Sequence, residues 1–139
     1  MSAATVPVRQ SDHSELDALL DQLGRRRYLM HAFRSDHDGP EIVAGIHRWD
    51  GGCTDVVILF NEDRATAYRV PAAPGADPFS PTRVLWWYSA APVWTLRALL
   101  ALDPPGHPDA PAVLTDAPPG CGVPVTNRIP VRIRRRGYP

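Results

Sequence analysis

The stretch EIVAGIHRWDGGCTDVVILFNEDRATAYRV, residues Glu41 to Val70, decides the fold. It holds three extended runs separated by two short turns. Glu41–Trp49 and Cys53–Phe60 are rich in Val and Ile, and Asp50-Gly51-Gly52 between them is a strong hairpin signal. Asn61-Glu62-Asp63 then turns the chain into Arg64–Val70. Connections this short join neighbouring antiparallel strands, so the segment reads as a meander.

Upstream, Tyr28–Arg34 reads as one more strand, joined to the meander through the turn Ser35–Pro40. A helix is predicted over residues 12–23. Leu16, Leu19, Leu20 and Leu23 fall on one helical face, Asp12 and Glu15 have capping-box spacing, and Gly24 suits the left-handed stop position. Residues 1–11 read as a flexible leader.

Downstream, Pro71–Pro81 is a proline-rich loop, and Val84–Tyr88 reads as a fifth strand. Pro92 suits the first turn of a second helix whose apolar positions are Val93, Leu96, Leu99 and Leu100. Asp103–Pro124 contains seven prolines and reads as an extended wrap ordered against the body. Ile129, Val131 and Ile133 alternate with Arg128, Arg132 and Arg134, giving a last strand, and Pro130 favours an edge position for it. The expected architecture is a single α+β domain over 1–139. It has an antiparallel sheet of five or six strands, with an N-terminal helix and a second helix packed on one face.

Composition narrows the setting. A chain of 139 residues can bury a core without a disulfide or metal staple. It contains no apolar run of the roughly 18 residues needed to cross a bilayer, and residues 1–10 do not read as a signal peptide. These features point to a soluble, cytoplasmic protein. All fifteen basic residues are arginine, and sixteen residues are proline. This usage follows GC-rich codons and points to a bacterial, high-GC source. Net charge is zero but uneven. Residues 1–63 hold eleven acids and six arginines, a balance of −5; residues 64–139 hold four acids and nine arginines, a balance of +5. Cys53 and Cys121 are far apart without metal-ligand spacing, so two free thiols and no metal site are expected.

Alternation along the strands sorts side chains onto two faces. One set, Tyr28, Met30, Ala32, Ile42, Ala44, Ile46, Val56, Ile58, Phe60, Tyr68 and Val70, is nearly all apolar and is assigned to the helices. The other set is mixed. On it, the hairpin registers set His47 opposite Asp55 and Asp55 opposite Arg69, with His31 expected beside His47. A carboxylate next to a histidine can raise its basicity for acid–base work, and arginine can clamp an anion. His47 and Asp55 are thus weak catalytic candidates, and His31, His47, Asp55 and Arg69 are ligand-binding candidates. The competing explanation is a solvated face with ordinary cross-strand charge pairs.

Two further signals stand apart. Trp86, Trp87, Tyr88 and Trp94 lie close in sequence, and Trp86, Trp87 and Trp94 are candidates for a partner-binding patch. Arg132, Arg134, Arg135 and Arg136 could hold phosphates, although zero net charge and the lack of a DNA-binding motif weigh against nucleic acid. The chain contains no phosphate-cradling glycine loop, nucleophile elbow or zinc-protease motif. No cofactor is implied. The expected function is a small non-catalytic binding module acting through a protein partner. A ligand-binding protein or small enzyme using the His/Asp/Arg band is the alternative, and phosphate binding by the C-terminal arginines is the third.

Overall fold

A computed structural model describes residues 8–34, 39–124 and 128–130. The elements run α1 (Val8–Arg25), β1 (Leu29–Arg34), β2 (Ile42–Arg48), β3 (Cys53–Asn61), β4 (Arg64–Pro71), β5 (Arg83–Val84), β6 (Trp86–Ala90), α2 (Pro92–Leu100), β7 (Thr115–Asp116) and β8 (Ile129–Pro130). The main sheet is antiparallel with strand order β6-β4-β3-β2-β1-β8, and β5 pairs with β7 in a small second ladder. This is the expected α+β architecture. No helix among the described residues is long and apolar enough to cross a membrane.

Three local expectations are corrected. Helix α1 starts at Val8, so Asp12 lies inside it and residues 8–11 are helical rather than leader. The helix also runs past Gly24. Its stop is a Schellman motif with Arg27 at φ 64° as the left-handed residue. Tyr28 N–H reaches Leu23 O at 3.1 Å and Arg27 N–H reaches Gly24 O at 3.0 Å. Tyr28 and Leu23 are both buried in one cluster, the apolar contact that accompanies this motif and outweighs the glycine signal. Third, the expected strand Val84–Tyr88 is two pieces. Val84 pairs with Thr115 of the wrap, whereas Trp86–Ala90 pair with β4.

The assignment of the faces is also corrected. Ala44, Ile46, Val56, Ile58, Tyr68 and Val70 do share a face with an apolar cover. That cover is Phe79, Val84, Cys121 and Val123, from the proline-rich segments. The helices sit on the opposite face, where Leu19, Leu23, Leu96 and Leu99 pack on Val57 and Ala67. Small residues there make room for the cover: Ala65 and Ala67 are fully buried, and Gly45 leaves space for the Met30 side chain, whose Sδ would lie 2.9 Å from a Cβ at that position. Strand β1 is offset by one residue from the expected parity. Leu29 pairs with Ile46, so Met30 lies beside Gly45 on the helix face and His31 beside Ala44 on the wrap face.

The sheet is therefore the middle of three layers, helices, strands and wrap, with apolar cover on both faces. This explains the unbroken apolar run Val56–Phe60, which a strand covered on one face only would not need. The wrap is fixed by specific bonds. Tyr68 Oη donates to Pro78 O at 2.6 Å, and Val123 N–H donates to Phe79 O at 2.9 Å. Gly122, at φ 137°, permits that approach, since a Cβ there would come within 2.5 Å of Phe79 O. Arg128 closes the layer through Val123 O, Ser80 Oγ and Asp77 Oδ2.

Candidate functional site

The two hairpin registers hold: His47 pairs with Asp55, and Asp55 with Arg69. The site they form differs from the open band expected. Asp55 is 1 % exposed and Arg69 0 %. The guanidinium grips the carboxylate along one edge, Nε donating to Oδ1 at 2.6 Å and Nη2 to Oδ2 at 2.9 Å. Nη1 donates to Asp103 O at 2.8 Å, which anchors the chain leaving α2. Trp49 Nε1 donates to Asp55 Oδ2 at 2.8 Å, and the Arg69 guanidinium lies 5.8 Å from the Trp49 ring centre. Every polar side-chain atom of the two groups has a protein partner, which makes the pair a buried anchor between sheet and helix layer.

His47 is oriented by rings rather than by Asp55. It stacks on Tyr28 at 5.2 Å and meets Trp49 edge-on at 4.6 Å. Burial raises the Tyr28 phenol, with the nearby Asp55 charge adding to the effect. Tyr28, His47 and Trp49 line a cavity of about 510 Å³ with Arg26 and residues 100–104. His31 is not part of this group. It lies on the wrap face, against Phe33 at 6.1 Å and Phe79 at 5.7 Å. Trp49 was absent from the sequence candidates, yet its parity with His47 on the same strand end signalled it.

Of the groups able to hold a metal, the donor atoms of Asp103, His107 and Asp109 lie within 4.8 Å of one another. His107 Nδ1 already accepts the Asp109 N–H at 3.0 Å, and His107 and Asp109 are exposed. Cys121 is buried in the wrap-side cluster, and that burial pushes its thiol up to about 11.

The tryptophan group is split by the fold. Trp86 is half-buried in the helix-side cluster, whereas Trp87 is 46 % exposed, Tyr88 37 % and Trp94 57 %. Trp87 pairs with Tyr68 and so projects to the wrap side, and Tyr88 pairs with Ala67 and projects to the helix side. Strand β6 is the outer strand of the sheet, with β4 as its one neighbour among the described residues.

Strand β6 is held firmly. Ser89 Oγ and Thr66 Oγ1 share a hydrogen bond at 3.0 Å. Thr95 Oγ1 of α2 donates to Ala90 O at 3.1 Å and Ala65 O at 3.3 Å. Trp94 is braced by Arg97, whose guanidinium lies 4.9 Å from its ring centre and pairs with Glu15 of α1.

The two sheet edges contrast. Among the described residues, β8 covers Ile129–Pro130, and Pro130 has no N–H to offer. Strand β6, Trp-Trp-Tyr-Ser-Ala, has neither charge nor proline, the usual devices that blunt an edge. Tyr88 belongs to this surface beside Trp87 and Trp94. Arg132, Arg134, Arg135 and Arg136 lie outside the described residues. No family model, curated protein or solved structure matches the chain.

Proposed function

We propose that this protein is a non-catalytic binding module that docks a protein partner along β6 and the adjoining Trp94. One observation carries this reading: an outer strand without charge or proline, pinned in place, with Trp87 and Tyr88 presented to solvent on opposite faces. An extended partner segment added to such an edge gains main-chain hydrogen bonds, while the rings supply anchor area at low entropic cost. The burial of Asp55 and Arg69 against each other, Trp49 and Asp103 O supports the same reading, because it keeps both groups away from solvent and from a ligand. The test is recovery of bound protein by wild type and by a Trp87→Lys/Trp94→Ala variant of unchanged melting temperature. A stoichiometric protein should be lost in the variant; a wild type that recovers none, neither another protein nor a second copy, refutes the reading.

A second reading rests on the cavity beside His47. Its aromatic walls Tyr28 and Trp49 and the rim residue Arg26 suit a flat anionic small molecule. A co-purifying small molecule lost on Arg26→Ala or His47→Ala would favour it.

A further inference from the structure

We infer that the partner seated on β6 is a second copy of this chain, paired antiparallel about a two-fold axis through Tyr88. The inference rests on the reading of β6 as a docking edge and names its occupant. The sequence of the strand carries the argument. When Trp86–Ala90 runs antiparallel to itself, the register that uses all five residues is centred on Tyr88. Trp86 then faces Ala90 of the second copy, and Trp87 faces Ser89 of the second copy. Each large ring meets a small residue, and the two tyrosines meet each other. Directly opposed side chains lie about 4.5–5.5 Å apart at Cβ, so this large-against-small order avoids crowding along the ladder. Shifting the centre to Trp87 sets that ring against itself and leaves Ala90 without a partner in the strand.

The faces agree with the same symmetry. Trp87 and Ser89 share the wrap side, and Trp86, Tyr88 and Ala90 share the helix side, as their partners on β4 fix. A two-fold axis normal to the sheet keeps helix layer beside helix layer and wrap beside wrap, continuing one sheet through both copies. Helix α2 lies over β4 and β6, so its exposed Trp94 comes to the same side of the seam in each copy. Charge does not oppose the contact. Strand β6 carries none, and the net charge of the chain is zero, so two copies approach without long-range repulsion. An isologous contact of this kind closes on itself, which turns an aggregation-prone edge into a finite assembly.

The experiment measures mass in solution across a concentration series for wild type, Tyr88→Lys, Tyr88→Glu and an equimolar mixture of the two variants. Wild type should reach twice the 15.3 kDa chain mass. Each variant alone should stay monomeric, because the two-fold axis sets like charges directly opposite, which destabilises the pair. The mixture should recover a dimer, associating at least about tenfold more tightly than either variant alone, since opposite charges now meet on the axis. A native far-UV circular dichroism spectrum and a cooperative melt in each variant separate this from misfolding, since loss of association by itself lowers the melting temperature. A wild type that is monomeric throughout, or a Tyr88→Lys variant that dimerises as well as wild type, overturns the inference. If wild type is monomeric but Trp87→Lys/Trp94→Ala still loses a different bound protein, the docking reading stands and only its occupant falls.

Discussion

Arg69 and Asp55, opposed on the neighbouring strands β4 and β3, form a fully buried ion pair in which the guanidinium grips both carboxylate oxygens at 2.6 and 2.9 Å. The remaining nitrogen holds Asp103 O, and Trp49 supplies a third donor to Asp55. The pair thus ties β3 and β4 to the segment that follows α2, beside the apolar cluster that the two helices form on this face.

Breaking one side of this pair should be far more damaging than removing both. Asp55→Ala leaves a buried guanidinium without its counter-charge, and a loss of about 3–5 kcal/mol in unfolding free energy is expected. Asp55→Leu/Arg69→Met removes both charges and fills the volume, and it should recover most of that loss. Full recovery is not expected, because Asp103 O and Trp49 Nε1 lose their partners, at about 1–3 kcal/mol for a buried group and less for half-exposed Trp49. Denaturant unfolding of the two singles and the double measures the coupling. A double variant no more stable than Asp55→Ala would show that the pair is not an isolated anchor.

How much of this was legible in the sequence depends on loop length. Asp50-Gly51-Gly52 and Asn61-Glu62-Asp63 are short enough to fix register, so the opposition of His47, Asp55 and Arg69 followed from counting. The link from β1 to β2 is longer and leaves parity open, and His31 accordingly falls on the other face. Burial of the pair was not legible. It depends on which layer covers which face, and the cover of the more apolar face comes from Phe79, Val84, Cys121 and Val123, scattered through a loop, a strand end and the wrap with no periodicity to say which face they meet. The end of α1 misled for a related reason. Gly24 carries the local signal, but burial of Tyr28 against Leu23 selects Arg27 as the turning residue. The aromatic cluster was visible at once, whereas the division between half-buried Trp86 and exposed Trp87 and Trp94 required the β4–β6 pairing.

The wrap should loosen in acid through Asp77. Its partial burial tends to raise the carboxyl, but hydrogen bonds from Arg128, the Phe79 N–H and Ser80 outweigh this and hold it below the usual carboxylate range. A carboxyl lowered on folding contributes stability above its unfolded value of about 3.9, and that contribution is lost as pH falls through the lower folded value. Melting temperature should therefore drop more steeply below about pH 4 in wild type than in Arg128→Ala. The side chain of Asp77 is 41 % exposed, so screening limits the difference to under about 1 kcal/mol. Parallel melting curves from pH 5 downward would exclude the clamp if the two acid slopes coincide.

The tryptophans offer a separation of folding from binding. Trp86 packs with Leu96, Leu99 and Val57 in the helix-side cluster, so Trp86→Ala removes buried ring area. A full core Trp→Ala costs about 3–5 kcal/mol, and a half-buried ring should cost about 2–3 kcal/mol. Trp94, 57 % exposed, rests chiefly on Arg97, so Trp94→Ala should stay within about 0.5 kcal/mol of wild type. Trp87 sits between these, since its ring is 46 % exposed and the strand beneath it is pinned through Ser89 and Thr66. The same order should appear in iodide quenching of fluorescence in the free chain, where Trp94→Ala removes the most accessible signal and Trp86→Ala one of the least. Association should reverse the order of importance, with Trp87→Ala and Trp94→Ala weakening it most. If Trp94→Ala instead destabilised the fold as much as Trp86→Ala, its exposed ring would belong to the core of the molecule, and the docking surface would shrink to β6 alone.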